Sequence, residues 1–160
     1  MKKKTMFPDL PGDSNQSVLQ LHNPSGFDLP VTADELASML QIIRETENAD
    51  FSEVEVIYMD EEGIVEINKK HLSRDYVTDI ISFRYDDDSE NQQIEGSLYC
   101  CAPRIAEQSG EFGTNIREEF LRVFIHGILH LTGYDDQSDK EKEEMTRLED
   151  FYLAEYSKNL

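Results

Sequence analysis

The chain of 160 residues has no apolar run near the ~18–20 residues that would cross a bilayer, so no membrane partner is expected. It opens on Met1-Lys2-Lys3-Lys4, but no apolar core follows. Phe7 to Asp13 reads as a loop, which argues against a secretion signal. Cysteine is scarce: Cys100 and Cys101 are the only two, and they are adjacent. Neighbouring thiols rarely bridge, and two make no disulfide framework. A reducing cytoplasm is expected, with both thiols acting as small apolar residues on opposite faces of a strand. Bases are also few, 15 Lys+Arg against 34 Asp+Glu, for a formal net charge of −19. That balance excludes a broad basic face for nucleic acid. What is present is 38% hydrophobic residues, enough for one compact domain with a real core.

Residues 1–16 lack periodicity and are expected to be a flexible tail, with one domain over 17–160. Ser17 to His22 is expected to be a short strand. Thr32 and Glu35 form a capping box ahead of the helical stripe Leu36, Met39, Leu40, Ile43. Val54, Val56 and Tyr58 predict a strand, and Asp60 caps a helix through Ile64 and Asn68. Thr78–Tyr85 and Ile94–Cys101 predict a hairpin around the solvated turn Asp86 to Asn91. Pro103 opens a helix, and Arg117–Leu131 is a buried helix stopped by Gly133. Ser138 caps the last helix, which carries alternating charge. The order predicts an α+β domain: a small mixed four-stranded sheet against about five helices.

The chemistry concentrates at the end of the buried helix. His126 and His130 are four apart, so both imidazoles project from one face. They are polar groups among Phe124, Ile125, Ile128, Leu129 and Leu131, and such groups need partners. Gly133 lets the chain reverse, which can bring Asp136 back over the helix end. Two imidazoles and a carboxylate suit one Zn²⁺ per chain and leave a position open for water. The spacing mimics the long zinc-protease motif, yet Gly127 stands where that motif carries its general base. Peptide hydrolysis by the usual route therefore has no base at the usual place.

His126 to Asp135 read His-Gly-Ile-Leu-His-Leu-Thr-Gly-Tyr-Asp. Here the sequence resembles the YbeY family of bacterial endoribonucleases, whose signature is His-Gly-x-Leu-His-Leu-x-Gly-Tyr-Asp-His. Ile67-Asn68 and Thr78 to Phe83 are similar to a second family segment. Gly96, Met145 and Glu149 also find counterparts. The resemblance implies metal-dependent cleavage of single-stranded ribosomal RNA in small-subunit maturation and ribosome quality control. It implies the small subunit, ribosomal proteins or assembly factors as partners. The family's third His is Asp136 here, and its usual Arg falls at Leu72, with Arg74 two residues on. Ser97 and Val77 replace a family Asp and Pro.

The roles expected under that resemblance are as follows. His126, His130 and Asp136 hold the metal. Arg74 and Asp135 are the catalytic candidates, with Arg74 or Arg84 as the guanidinium beside the scissile phosphate. Thr78 and Asp79 support from behind, and Asp135 or Asp79 is expected to orient water or a ligand imidazole. The rivals are a zinc hydrolase of another substrate and a non-catalytic ribosome assembly factor with a structural metal.

The charge is uneven along the chain. Residues 5–68 hold 14 acids and one base, and residues 85–160 hold 18 acids and seven bases. Between them, Lys69, Lys70, Arg74 and Arg84 outnumber Asp75 and Asp79. These four are the expected RNA contacts, in a chain that otherwise repels RNA.

Overall fold

The computed structural model of the protein describes residues 18–86 and 93–158. The expected tail at 1–16 and most of the expected turn at 86–91 lie outside the described residues.

The elements are β1 (Leu19–His22), α1 (Ala33–Glu47), β2 (Asp50–Met59), α2 (Glu61–Leu72), β3 (Ile80–Arg84), β4 (Gln93–Cys101), α3 (Ala102–Phe112), α4 (Ile116–Thr132) and α5 (Asp139–Lys158). The strands form one mixed sheet in the order β1-β2-β4-β3. β1 and β4 both run parallel to β2, and β3 pairs antiparallel with β4 from Ile80↔Cys100 to Arg84↔Gly96. Five helices on one mixed four-stranded sheet match the α+β expectation.

The helix ends form where the sequence predicts them. At α1 the Thr32 hydroxyl accepts from Glu35 N–H at 3.2 Å, and the Glu35 carboxylate accepts from Thr32 N–H at 3.0 Å. Ser138 and Glu141 make the same reciprocal pair ahead of α5. The Asn115 side chain accepts from Glu118 N–H at the start of α4. α2 runs further than its apolar pattern predicts, to Leu72. Ser73 closes it in a left-handed conformation at φ 55°, and Arg74 N–H reaches back to the Asn68 carbonyl. The last turn carries Lys69, Lys70 and His71, which suit the negative end of the helix. The two lysines are therefore helical.

Alternation along β4 divides the core. Leu98 and Cys100 face the main core with α1, α3, α4 and α5. Cys101 faces the other way, with Ile64 and Ile81 under α2. The two thiols are free, buried and on opposite faces, as their adjacency predicts. α4 presses closely on the sheet. A Cβ at Gly127 would lie 2.6 Å from Ile80 Cδ1 and 2.9 Å from Leu98 Cδ2. Gly127 thus serves packing, which accounts physically for its place between the histidines. No helix among the described residues is long and apolar enough to cross a membrane.

Candidate metal centre

Gly133 ends α4 at φ 113°, with Tyr134 N–H bonded to the Leu129 carbonyl. That turn returns the chain over the helix end, as the sequence predicts. Three donor atoms converge there. His126 Nε2 and His130 Nε2 are 3.0 Å apart, and Asp136 Oδ2 lies 3.3 Å from the first and 3.6 Å from the second.

The partners of the outer ring nitrogens assign a tautomer to each neutral ring. His126 Nδ1 sits 2.7 Å from Glu149 Oε2, a carboxylate, so this nitrogen carries the proton and donates. His130 Nδ1 sits 2.9 Å from the Tyr134 carbonyl and donates likewise. Both Nε2 atoms therefore present lone pairs, and so does Asp136. With both rings neutral, three acceptors face one point, an arrangement that suits a cation. A tetrahedral zinc with bonds of 2.0–2.2 Å sets donor–donor edges of roughly 3.3–3.6 Å. The two imidazole–carboxylate spacings fall in that range and the imidazole–imidazole spacing is about 0.3 Å short of it, so His126, His130 and Asp136 could hold a metal ion with a small opening of the pair.

Electrostatics reinforce the site. Burial lowers the His126 pKa, but the hydrogen bond to Glu149 and the charges of Glu149, Asp136 and Asp79 outweigh it, and the net shift is upward. Glu149 is itself buried and paired with Arg122 at 3.1 Å, and Arg122 also reaches Asp150 at 2.7 Å. Tyr134 is held at its far end, where its hydroxyl donates to Glu47 at 2.8 Å. Tyr152 donates to the other oxygen of Glu47. Hence the loop that supplies Asp136 is tied to α1 and α5.

A cleft of about 480 Å³ leads to the donors. It gathers His126, His130 and Asp136 with Arg74, Thr78, Asp79 and Arg84, and with Leu72. Buried Asn68 fixes one wall, since its Nδ2 donates to the Tyr76 carbonyl at 3.0 Å and to Thr78 Oγ1 at 3.1 Å. Arg74 is exposed, its guanidinium 6.0 Å from the Tyr76 ring, and no ion pair engages it among the described residues. Arg84 differs. It grips Asp86 through Nε and Nη2 and donates from Nη1 to the Leu131 carbonyl. The hydrogen bond from Arg84 holds the Asp86 carboxyl near pKa 2. Lys69 and Lys70 are not among the residues that line this cleft. Lys69 lines another hollow, beside Asp60, Glu61, Glu62 and Glu66. The basic stretch of the sequence is thus split by the helix that carries the lysines.

The carboxylate of Asp135 accepts the N–H of Asp136 at 3.0 Å and stiffens the loop. Asp79 lines the cleft, and its carbonyl accepts from Cys101 N–H. Neither orients an imidazole. Glu149 and the Tyr134 carbonyl do that, and reading the sequence by motif missed both roles. One signal was available: Glu149 is an acid within the apolar stripe Met145, Leu148, Tyr152, Tyr156. A backbone carbonyl gives no such signal.

The family model for Endoribonuclease YbeY matches residues 26–157. The chain is 35% identical over 121 residues to Endoribonuclease YbeY of Chloroherpeton thalassium, covering 76% of this chain and 84% of that one. It is also 35% identical over 137 residues to the Chlorobium phaeobacteroides protein of the same name, covering 86% and 96%. A solution structure from Thermotoga maritima superimposes with a TM-score of 0.59 at 26% identity, covering 89% of this chain and 93% of that one.

Proposed function

The chain belongs to the YbeY endoribonuclease family, and we propose that it hydrolyses single-stranded ribosomal RNA in the cleft that ends at His126, His130 and Asp136. The observation that carries this reading is the convergence of three lone-pair donors at the foot of a cleft that also bears Arg74, which has no ion pair among the described residues. The donor set of two imidazoles and one carboxylate supports zinc as the ion. When bound, it supplies Lewis acidity and a water of pKa near ~7.

The chain's own residues do the rest. Glu149 and the Tyr134 carbonyl keep the Nδ1 protons in place, so both Nε2 atoms stay available. Arg74 meets the scissile phosphate and offsets charge that develops on its oxygens. Leu72 stands in the cleft where the family carries Arg, which leaves Arg74 to meet the phosphate. Arg84, bound to Asp86 and the Leu131 carbonyl, shapes the wall and adds positive field. Asp79 orients water at the donors, and Asp135 holds the Asp136 loop. Small-subunit RNA is the substrate, reached through ribosomal partners, in a reducing cytoplasm that suits the free cysteines.

The test is cleavage of a labelled small-subunit RNA precursor, with and without chelator, alongside zinc content. Cleavage is expected in wild type and should be abolished by chelator. His126→Ala and His130→Ala should lose both zinc and cleavage while keeping their circular dichroism. Zinc retained by both variants sinks the ligand assignment. Zinc-loaded protein that binds the precursor but never cuts it would favour the assembly-factor role.

A further inference from the structure

A second hollow, of about 340 Å³, meets the first at Asp79, His126 and Asp136 but is walled by α3, α4 and α5. Its lining combines apolar surface with a polar edge. Phe112, at the end of α3, is 64% exposed, the highest value among the large exposed apolar side chains. Val123 and Met145 add apolar surface deeper in. The polar edge is Glu119 with Gln108. Glu119 is only 3% exposed, yet it has no cation within 4.0 Å among the described residues. Its two hydrogen bonds are long and come from neutral groups, Gln108 Nε2 at 3.3 Å and Thr114 Oγ1 at 3.4 Å. Burial pushes its carboxyl upward, against the charge of Arg122 and the hydrogen bonds from Thr114 and Gln108.

Glu119 keeps spare lone pairs at that edge, and beside it Gln108 keeps its carbonyl and the second hydrogen of its Nε2. Arg122 and Lys142 also line the hollow, but the buried Glu119 carboxylate itself is satisfied by a flat group with N–H donors on one edge. Seven residues separate Glu119 from His126. They share a face of α4 and lie about 10 Å apart along it, within reach of one nucleotide.

We propose that this hollow is a nucleobase pocket that selects guanine beside the scissile phosphate, with Phe112 stacking on the base and Glu119 accepting its N1–H and N2–H. Guanine is the base that presents two adjacent donors to a carboxylate. Adenine and cytosine present one amino group. Uracil presents a single N–H between two carbonyls, which the acceptors disfavour. An exposed aromatic ring gives a stacking surface of the kind that single strands use. The pocket rests on the RNA-cutting reading of the adjoining centre.

The experiment measures cleavage of single-stranded oligoribonucleotides that differ only in the base on either side of the cut, with zinc-loaded protein. At one of those positions guanine should exceed uracil about tenfold in kcat/KM. Glu119→Gln should bring that ratio within about twofold, with zinc content unchanged. Phe112→Ala, on the surface, should raise KM about tenfold and move kcat less. A flat base profile at both positions overturns the pocket, and so does a guanine preference that survives Glu119→Gln. If no oligonucleotide is cut, the cutting proposal fails by itself. The pocket is then judged by NMR titration of the zinc-loaded protein with guanosine and uridine 5′-monophosphates. Tighter guanosine monophosphate binding that Glu119→Gln abolishes supports it, and equal binding overturns it.

Discussion

The two imidazoles of the centre depend on their outer nitrogens as much as on those facing the metal. Glu149 holds the His126 Nδ1 proton, and Arg122 holds Glu149. Glu149→Gln keeps the shape and an acceptor but removes the charge that makes His126 more basic. Zinc affinity should fall about 10- to 100-fold, read by competition with a chromophoric chelator. An unchanged affinity would mean that Glu149 serves only to satisfy Arg122. The motif His-Gly-x-Leu-His was legible because its residues lie in one helical turn and one cap. Glu149 is 23 residues from His126 and meets it only when α5 packs on α4.

At the scale of elements, α4 is the frame of the site. Its histidines lie within two turns of Gly133, and Gly127 between them lets the helix approach β3 and β4. Gly127→Ala gains helix propensity of roughly 1 kcal/mol. It also drives a methyl to within 3 Å of Ile80 and Leu98. Those are side-chain ends that can move, so overpacking should cost about 1–3 kcal/mol and dominate. Urea unfolding of the metal-free protein should show a lower midpoint at unchanged slope, and a midpoint at or above wild type would deny the close packing. The element order, the caps at Thr32 and Ser138 and the β3–β4 hairpin were legible from short-range pattern. The insertion of β4 between β2 and β3 was not. No local signal distinguishes that order, which sets Leu98 of β4 against Gly127 of α4.

For the whole molecule, the net charge of −19 sets how RNA can be held. Within the cleft, Arg74 carries no ion pair among the described residues, while Arg84 is engaged by Asp86. Few counterions are then released on binding. The slope of log K against log salt should be no steeper than about −2, since each neutralised phosphate of a single strand contributes about −0.7. Fluorescence anisotropy with a short labelled RNA, over a range of potassium chloride, measures this. A slope of −4 or steeper would show a basic face outside the cleft.

The sequence by itself determined the donors and the type of fold, because both are written in spacings of three to ten residues. Helix period puts His126 and His130 on one face, a glycine cap turns Asp136 back, and alternation sends Cys100 and Cys101 to opposite sides. Only the tertiary structure decided which of the four basic residues share the cleft. Lys69 and Lys70 leave it because α2 extends to Leu72 and carries them away, whereas β3 and the loop held by Asn68 bring Arg84 and Arg74 to the donors. It also decided that a buried Glu119 and an exposed Phe112 line one hollow beside the metal donors. They belong to different helices, and the packing angle between helices is fixed by the whole core rather than by either segment.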